Sequence, residues 1–251
     1  MEKTLMAKLG RSSEAPPELH WLSEKSWVIL QQGYLSSTPA AFDREWNHPL
    51  KPHTKRKLRV FGRDCFENRW SLSWGADYPY SGQKAEAAKI ETGSFVAELE
   101  ASLNAFAPVN GCLENWYEAD STIGAHADDE GALVKGEPIF ALSWGATRRF
   151  RIVPKKKDTN DKSMEFYLSD GDLLVMGGDL QQTHKHDIPT YRKTKDPFPP
   201  GRRISWTFRV FRPEYLLKKD EPPSKRRRTD MKQVSPYFAV ADNTATSSER
   251  T

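Results

Sequence analysis

The stretch RISWTFRVF (203–211) alternates between two kinds of side chain. Arg203, Ser205, Thr207, Arg209 and Phe211 share one face of an extended chain, and Ile204, Trp206, Phe208 and Val210 share the other. That period of two predicts a strand with an apolar back and two arginines on its front. IFALSW (139–144), RRFRIV (148–153) and DLLVM (172–176) read as further short strands, with turn chemistry in SDGD (169–172) and GGD (177–179). Upstream the period lengthens. Phe95, Leu99, Leu103 and Phe106 follow Ser94 at spacings of four and three, which predicts a Ser-capped helix lying on a sheet. Short strands in succession, after a part with helical character, predict a β-sandwich or jelly-roll barrel.

The polar face of 203–211 does not suit a packed core. Asn115 and Tyr117 alternate in the same sense on an earlier run, and His126 and Asp128 on a third. If these faces line one barrel, its interior holds an amide, a phenol, an imidazole, a carboxylate and two guanidiniums. Unpaired buried charges are costly, so such an interior calls for a metal ion and a dicarboxylate ligand. His126-x-Asp128 with a distant second histidine has the pattern of the facial triad of non-haem Fe(II) enzymes, where two imidazoles and one carboxylate occupy one face of an octahedron. The second histidine must come from QQTHKHDIPTYRK (181–193), which offers His184 and His186. The two share a strand face, and the pattern leaves the choice open.

Composition narrows the class. At 251 residues, with 37% hydrophobic and 29% charged side chains, eight Trp and twelve Phe, the chain has apolar mass for one substantial domain with tails. No run approaches the ~18 apolar residues of a membrane helix, and MEKTLMAKLG lacks the apolar region of a signal peptide. Cys65 and Cys112 are the two cysteines, too few for a disulfide framework or a cysteine zinc site. The net charge is only +4, but the basic residues gather in KPHTKRKLR (51–59), RRFRIVPKKK (148–157) and SKRRR (224–228). Three such clusters favour a polyanionic partner, nucleic acid above all.

The ordered set Asn115-x-Tyr117, His126-x-Asp128-Asp129-Glu130, His186-x-Ile188-Pro189 and Arg203-x5-Arg209 resembles the AlkB family of Fe(II)- and 2-oxoglutarate-dependent dioxygenases. VFGRD (60–64), WGADYPYSG (74–82) and ALSWGATRRF (141–150) extend the likeness, which covers residues 25–213 and is greatest to the eukaryotic homologues two and three. The resemblance implies a mainly β fold with flanking helices and a double-stranded β-helix (jelly roll, cupin-like) core. It also implies Fe(II), with 2-oxoglutarate and O2 as cosubstrates. His186 stands where the family's ligand histidine precedes a hydrophobic-Pro pair, so the resemblance assigns iron to His126, Asp128 and His186. By the same carry-over Arg203 pairs with the distal carboxylate of 2-oxoglutarate, Asn115, Tyr117 and Ser205 stand at cosubstrate-binding positions, and Arg209 lies near the proximal carboxylate and the ligand aspartate. Glu130 matches a position that contacts the damaged base, and Trp74, Tyr78 and Tyr80 resemble a lid that closes over it. Ser205 stands where asparagine is usual, and Asn68 precedes Arg69 where proline is usual. Asp129 receives no role.

The implied activity is oxidative demethylation of N-alkylated bases, of the 1-methyladenine and 3-methylcytosine type, in DNA or RNA, with loss of formaldehyde as alkylation damage repair. The alternatives are the same chemistry on an RNA mark or a protein, and a catalytically silent nucleic-acid reader. The expected layout is a flexible arm at 1–24 and a dioxygenase domain at 25–213. Within the domain, N-terminal helices and a nucleotide-recognition lid are expected at about 50–110 and the jelly roll at about 111–213. A disordered basic tail is expected at 214–251. The pair Lys218–Lys219 and the run KRRR (225–228) read as a nuclear localisation signal, for a nuclear or partly cytoplasmic protein. SPYF (235–238) reads as a docking motif for a protein partner. The enzyme is expected as a monomer without membrane association.

Overall fold

The computed structural model describes residues 1–10, 15–60, 63–80, 83–157 and 160–217. The chain runs α1 (Glu2–Leu9), β1 (Glu18–Trp21), β2 (Ser26–Gln31), α2 (Pro39–Trp46), β3 (Lys57–Val60), β4 (Arg63–Phe66), β5 (Trp70–Trp74), β6 (Tyr78–Tyr80), β7 (Gln83–Ala85) and α3 (Phe95–Leu103). It continues β8 (Gly111–Tyr117), β9 (Ile123–His126), β10 (Ile139–Gly145), β11 (Arg148–Pro154), β12 (Met164–Leu168), β13 (Leu173–Gly178), α4 (Leu180–Thr183), β14 (His184–Ile188) and β15 (Arg203–Arg209). A seven-stranded sheet in the order β1-β2-β13-β10-β15-β8-β5 faces a four-stranded sheet in the order β12-β11-β14-β9. Val28, Leu30, Ile139, Leu174 and Met176 of the large sheet meet Phe150, Ile152, Phe166, Leu168 and Ile188 of the small one in a single buried cluster. This is the expected jelly-roll core.

The back of the large sheet is covered as well. Ser94 caps α3, its hydroxyl accepting from Ala97 N–H at 3.2 Å, and Phe95, Val96, Leu99 and Leu103 are all buried. Phe95 packs on Trp144 at 4.5 Å and on Trp206 at 4.9 Å between ring centroids. The apolar face predicted for 203–211 therefore lies under α3, and its polar face looks into the barrel. Burial on both sides is why β10 reads as a nearly continuous apolar run rather than an alternating one.

Several expectations need correction. Residues 1–24, expected as a flexible arm, carry α1 and β1, with Leu5, Leu9 and Leu22 buried. Two leucines one helical turn apart make too narrow an apolar stripe to stand out in a polar segment, and their burial depends on the neighbouring β1–β2 pair. The described residues between 50 and 110 form mainly short strands and one helix, α3, because β5 joins the large sheet and β3–β4 and β6–β7 pair as hairpins. Residues 214–217, expected within the disordered tail, belong to the fold. Leu217 N–H donates to Gly75 O at 2.9 Å, and Tyr215 and Leu216 pack on Ala76, Leu113, Leu133 and Phe211. KRRR (225–228) and SPYF (235–238) lie outside the described residues.

The basic cluster at 148–157 is largely paired within the protein. Arg148 donates to the carbonyls of Glu118, Ala119 and Ser121. Arg149 pairs with Asp196 and Glu165, and Arg151 with Asp187. Spacing showed the charges but not the partners, which come from strands and loops distant in sequence. No helix among the described residues is long and apolar enough to cross a membrane.

One buried acid gives a pH signature. Glu114, 0% exposed, accepts from Trp74 Nε1 at 2.9 Å. Burial raises its carboxyl well above the usual range, against the Trp74 hydrogen bond. A carboxyl that holds its proton more tightly when folded stabilises least at high pH, because folding must then either take up a proton or bury a charge. Glu114→Gln is therefore expected to raise Tm at pH 7–8, with each kcal/mol read as about 2–4 °C. The advantage should vanish below about pH 4.3, where unfolded Glu114 is also protonated. Thermal melts across pH test this; an equal shift at every pH would contradict it.

Candidate active site

Strand pairing assembles the site. His186 of β14 lies opposite His126 of β9, and their ring centroids are 4.3 Å apart. Asp128 follows β9 by two residues, and ligand atoms of His126, Asp128 and His186 all lie within 4.8 Å of one another. His126 Nδ1 is 2.9 Å from Gly124 O, a carbonyl that can only accept, so the proton sits on Nδ1 and Nε2 carries the free lone pair. His186 stacks on Phe150. Burial first, then His126, lowers its pKa to about 3, which keeps the ring neutral. Burial alone would raise the Asp128 carboxyl, but the charge beside it, the Arg209 guanidinium first, outweighs this and brings it to about 2. Both groups thus hold the protonation states that a metal requires.

Asp128 is held from behind. Its Oδ2 accepts from Arg209 Nε at 3.0 Å and Nη2 at 2.7 Å, while its buried Oδ1 has no hydrogen-bond partner among the described residues and lies 3.7 Å from His126 Nε2. A buried carboxylate oxygen aimed at two imidazoles is the donor set of a divalent cation. The residues fit Fe(II). His184, the other sequence candidate, lies outside the cluster: its ring nitrogens face Thr183 Oγ1 at 2.7 Å and Lys162 O at 3.2 Å.

Across the barrel from the small sheet, register places Ser71, Asn115, Ser205 and Ser143 abreast on β5, β8, β15 and β10. The next row carries Tyr117 opposite Arg203. Arg203 is 2% exposed. Its Nη2 donates to Ser143 Oγ at 2.8 Å and its guanidinium lies 5.0 Å from the Tyr117 ring centroid. Its Nε and Nη1 are buried without a hydrogen-bond partner among the described residues. A buried cation with two orphaned donors is costly, and a carboxylate is the group that matches such a fork. The residues fit 2-oxoglutarate.

A family profile of the 2OG-Fe(II) oxygenase superfamily matches residues 20–209. The chain belongs to this superfamily. Its chemistry uses Fe(II), 2-oxoglutarate and O2, in agreement with the donor set just described. Among individual proteins, the "DNA oxidative demethylase ALKBH2" of Arabidopsis thaliana is 28% identical over 188 residues, 63% of this chain and 58% of that protein. The human "Alpha-ketoglutarate-dependent dioxygenase alkB homolog 3" is 34% identical over 113 residues, 42% of this chain and 37% of that protein. An "RNA replication protein" of Grapevine virus A (isolate Is 151) is 35% identical over 80 residues, 32% of this chain and 4% of the viral protein. The match thus spans under two thirds of each relative's length. The AlkB resemblance read from the motifs agrees with the first two.

Around the 2OG oxygenase centre the other sequence candidates divide. A cavity of about 310 Å3 shares Asp128 with the metal cluster and is lined also by Glu130, Lys155, Met176, Gln181 and Arg209 among others. Trp74 does not belong to a lid: it is 2% exposed, within β5, with its indole N–H on Glu114 and its ring against His48. Pairing of β5 with β8 draws it into the core. Tyr78 and Tyr80 lie in β6, and their side chains are outside the described residues. Asp129 gains a role. It pairs with Lys155 Nζ at 2.8 Å, Lys155 donates to Gln181 O, and Gln181 Oε1 accepts from Asp128 N–H at 2.9 Å. The loop bearing Asp128 is thereby tied to α4, which leads directly into the strand of His186. Gln181, Lys155, Ser143 and Arg69 are quoted or named above but carry no local signal of these roles; contacts between segments distant in sequence reveal them.

Proposed function

We propose that the protein is an oxidative demethylase of N-alkylated bases, of the 1-methyladenine and 3-methylcytosine type, in DNA or RNA. The observation that carries this reading is the pairing of a complete His–Asp–His donor set with a buried, half-unpaired Arg203 in one barrel. The similarity to a protein named as a DNA oxidative demethylase supports the substrate class. In this reading His126, Asp128 and His186 hold the metal, and Arg203, Asn115, Tyr117 and Ser205 hold the cosubstrate. Arg209 keeps Asp128 ionised and oriented. Fe(II) with 2-oxoglutarate and O2 supplies the oxidising power that turns an N-methyl group into hydroxymethyl, which leaves as formaldehyde while 2-oxoglutarate becomes succinate and CO2. The cavity beside Asp128 receives the base, with Glu130 on its wall as a polar contact. A duplex base must leave the stack to enter, which favours unpaired or damaged bases. Damage repair in the nucleus is the setting this reading implies.

The test is release of formaldehyde and succinate from oligonucleotides carrying 1-methyladenine or 3-methylcytosine, as single- and double-stranded DNA and as RNA. Turnover should require both Fe(II) and 2-oxoglutarate. An enzyme that binds both yet turns over none of these oligonucleotides would refute the substrate assignment.

A further inference from the structure

We propose that Arg69, backed by Glu67 and Ser71, is a positioning residue that fixes the Asn115 carboxamide with its NH2 end toward the cosubstrate. This rests on the reading of Asn115 as a cosubstrate donor. Arg69 Nε donates to Asn115 Oδ1 at 2.8 Å, and Ser71 Oγ lies 2.8 Å from the same oxygen. Arg69 Nη2 donates to Glu67 Oε1 at 3.3 Å, and Ser71 Oγ is also 2.8 Å from Glu67 Oε2. Ser71 has one hydroxyl proton to share between two acceptors, so the Arg69 N–H is the undivided contact on the amide. All four residues are buried, at 6% exposure or less.

The geometry is directional. Turning the amide over would set its NH2 against the Arg69 Nε–H, donor facing donor, inside a site from which water is largely excluded. With the oxygen held by Arg69 and Ser71, the donating end of Asn115 is the one left for a ligand. Glu67 balances the guanidinium and prevents Arg69 from turning toward the cosubstrate carboxylates itself. The device lies outside the strands that carry the triad: Glu67 and Arg69 flank the turn into β5, the outer strand of the large sheet. Ser71 reaches Asn115 because the two are register partners.

The experiment measures binding of N-oxalylglycine, an unreactive isostere of 2-oxoglutarate, to the Mn(II)-loaded protein by calorimetry, alongside Tm. Asn115→Asp keeps an acceptor for Arg69 and Ser71 but loses the NH2 donors. It should retain Tm and lose at least about tenfold in affinity, the value of a hydrogen bond to a charged group. The double variant Glu67→Gln/Arg69→Met removes the positioning contact without orphaning a buried carboxylate. It should also bind at least about tenfold more weakly, and Arg69→Lys with Glu67 intact should recover part of the loss. Full affinity in Asn115→Asp would refute the reading of Asn115 itself. Weak binding in Asn115→Asp together with wild-type affinity in the double variant would refute the positioning role and leave the cosubstrate site standing.

Discussion

His186→Ala is expected to abolish metal binding and turnover, while His184→Ala keeps both. The two histidines are separated by one residue and both are buried, but they face different partners. His186 lies opposite His126 and within reach of Asp128; His184 spends its nitrogens on Thr183 and Lys162. Loss of one ligand of three should weaken Mn(II) or Co(II) affinity by more than ~100-fold, the upper end for changes one layer further out. His184→Ala instead leaves the Lys162 carbonyl without its imidazole partner and should cost about 1–3 kcal/mol of stability. Metal titration and thermal melts of the two variants separate these effects. Retained metal affinity in His186→Ala with loss in His184→Ala would reverse the assignment.

Arg203→Met should move stability and cosubstrate affinity in opposite directions. In the free protein Arg203 is a buried cation with Nε and Nη1 unpartnered among the described residues, and burial pulls its pKa down, opposed by Tyr117. Replacing a poorly compensated buried charge with an apolar chain of similar length removes that burden, so the metal-free variant should melt higher than wild type. The same change deletes the fork for the distal carboxylate. Two hydrogen bonds to a charged group at about 1.5–3 kcal/mol each correspond to a loss of roughly 10²- to 10⁴-fold in 2-oxoglutarate affinity. Arg203→Lys should not rescue binding, because an ammonium cannot present two parallel N–H groups. Unchanged 2-oxoglutarate affinity in Arg203→Met would exclude the carboxylate role.

Much of the centre is legible in the sequence. The alternation in 203–211 announced a strand with a polar inner face, and the structure places Arg203, Ser205 and Arg209 on that face beside the metal cluster and the polar row. The helix behind Ser94 is present with its cap. What failed was legible only weakly. Trp74 shares a motif with Tyr78 and Tyr80, but one strand pairing puts it in the core against Glu114. Arg148 and Arg149 look like a basic strip, yet both are held by carbonyls and acids from other segments.

By itself, then, the sequence determined the chemical inventory: two imidazoles, a carboxylate, a guanidinium fork and the strands that carry them, because residue type and period are local properties. Residue pattern leaves His184 and His186 open, and only the family resemblance chooses between them; the tertiary structure shows why His186 meets Asp128, why Asp129 is tied to Lys155, and that Arg69 holds Asn115. Those answers depend on strand register and burial, set by hydrogen bonding between segments tens of residues apart, where a shift of one residue turns each side chain to the other face.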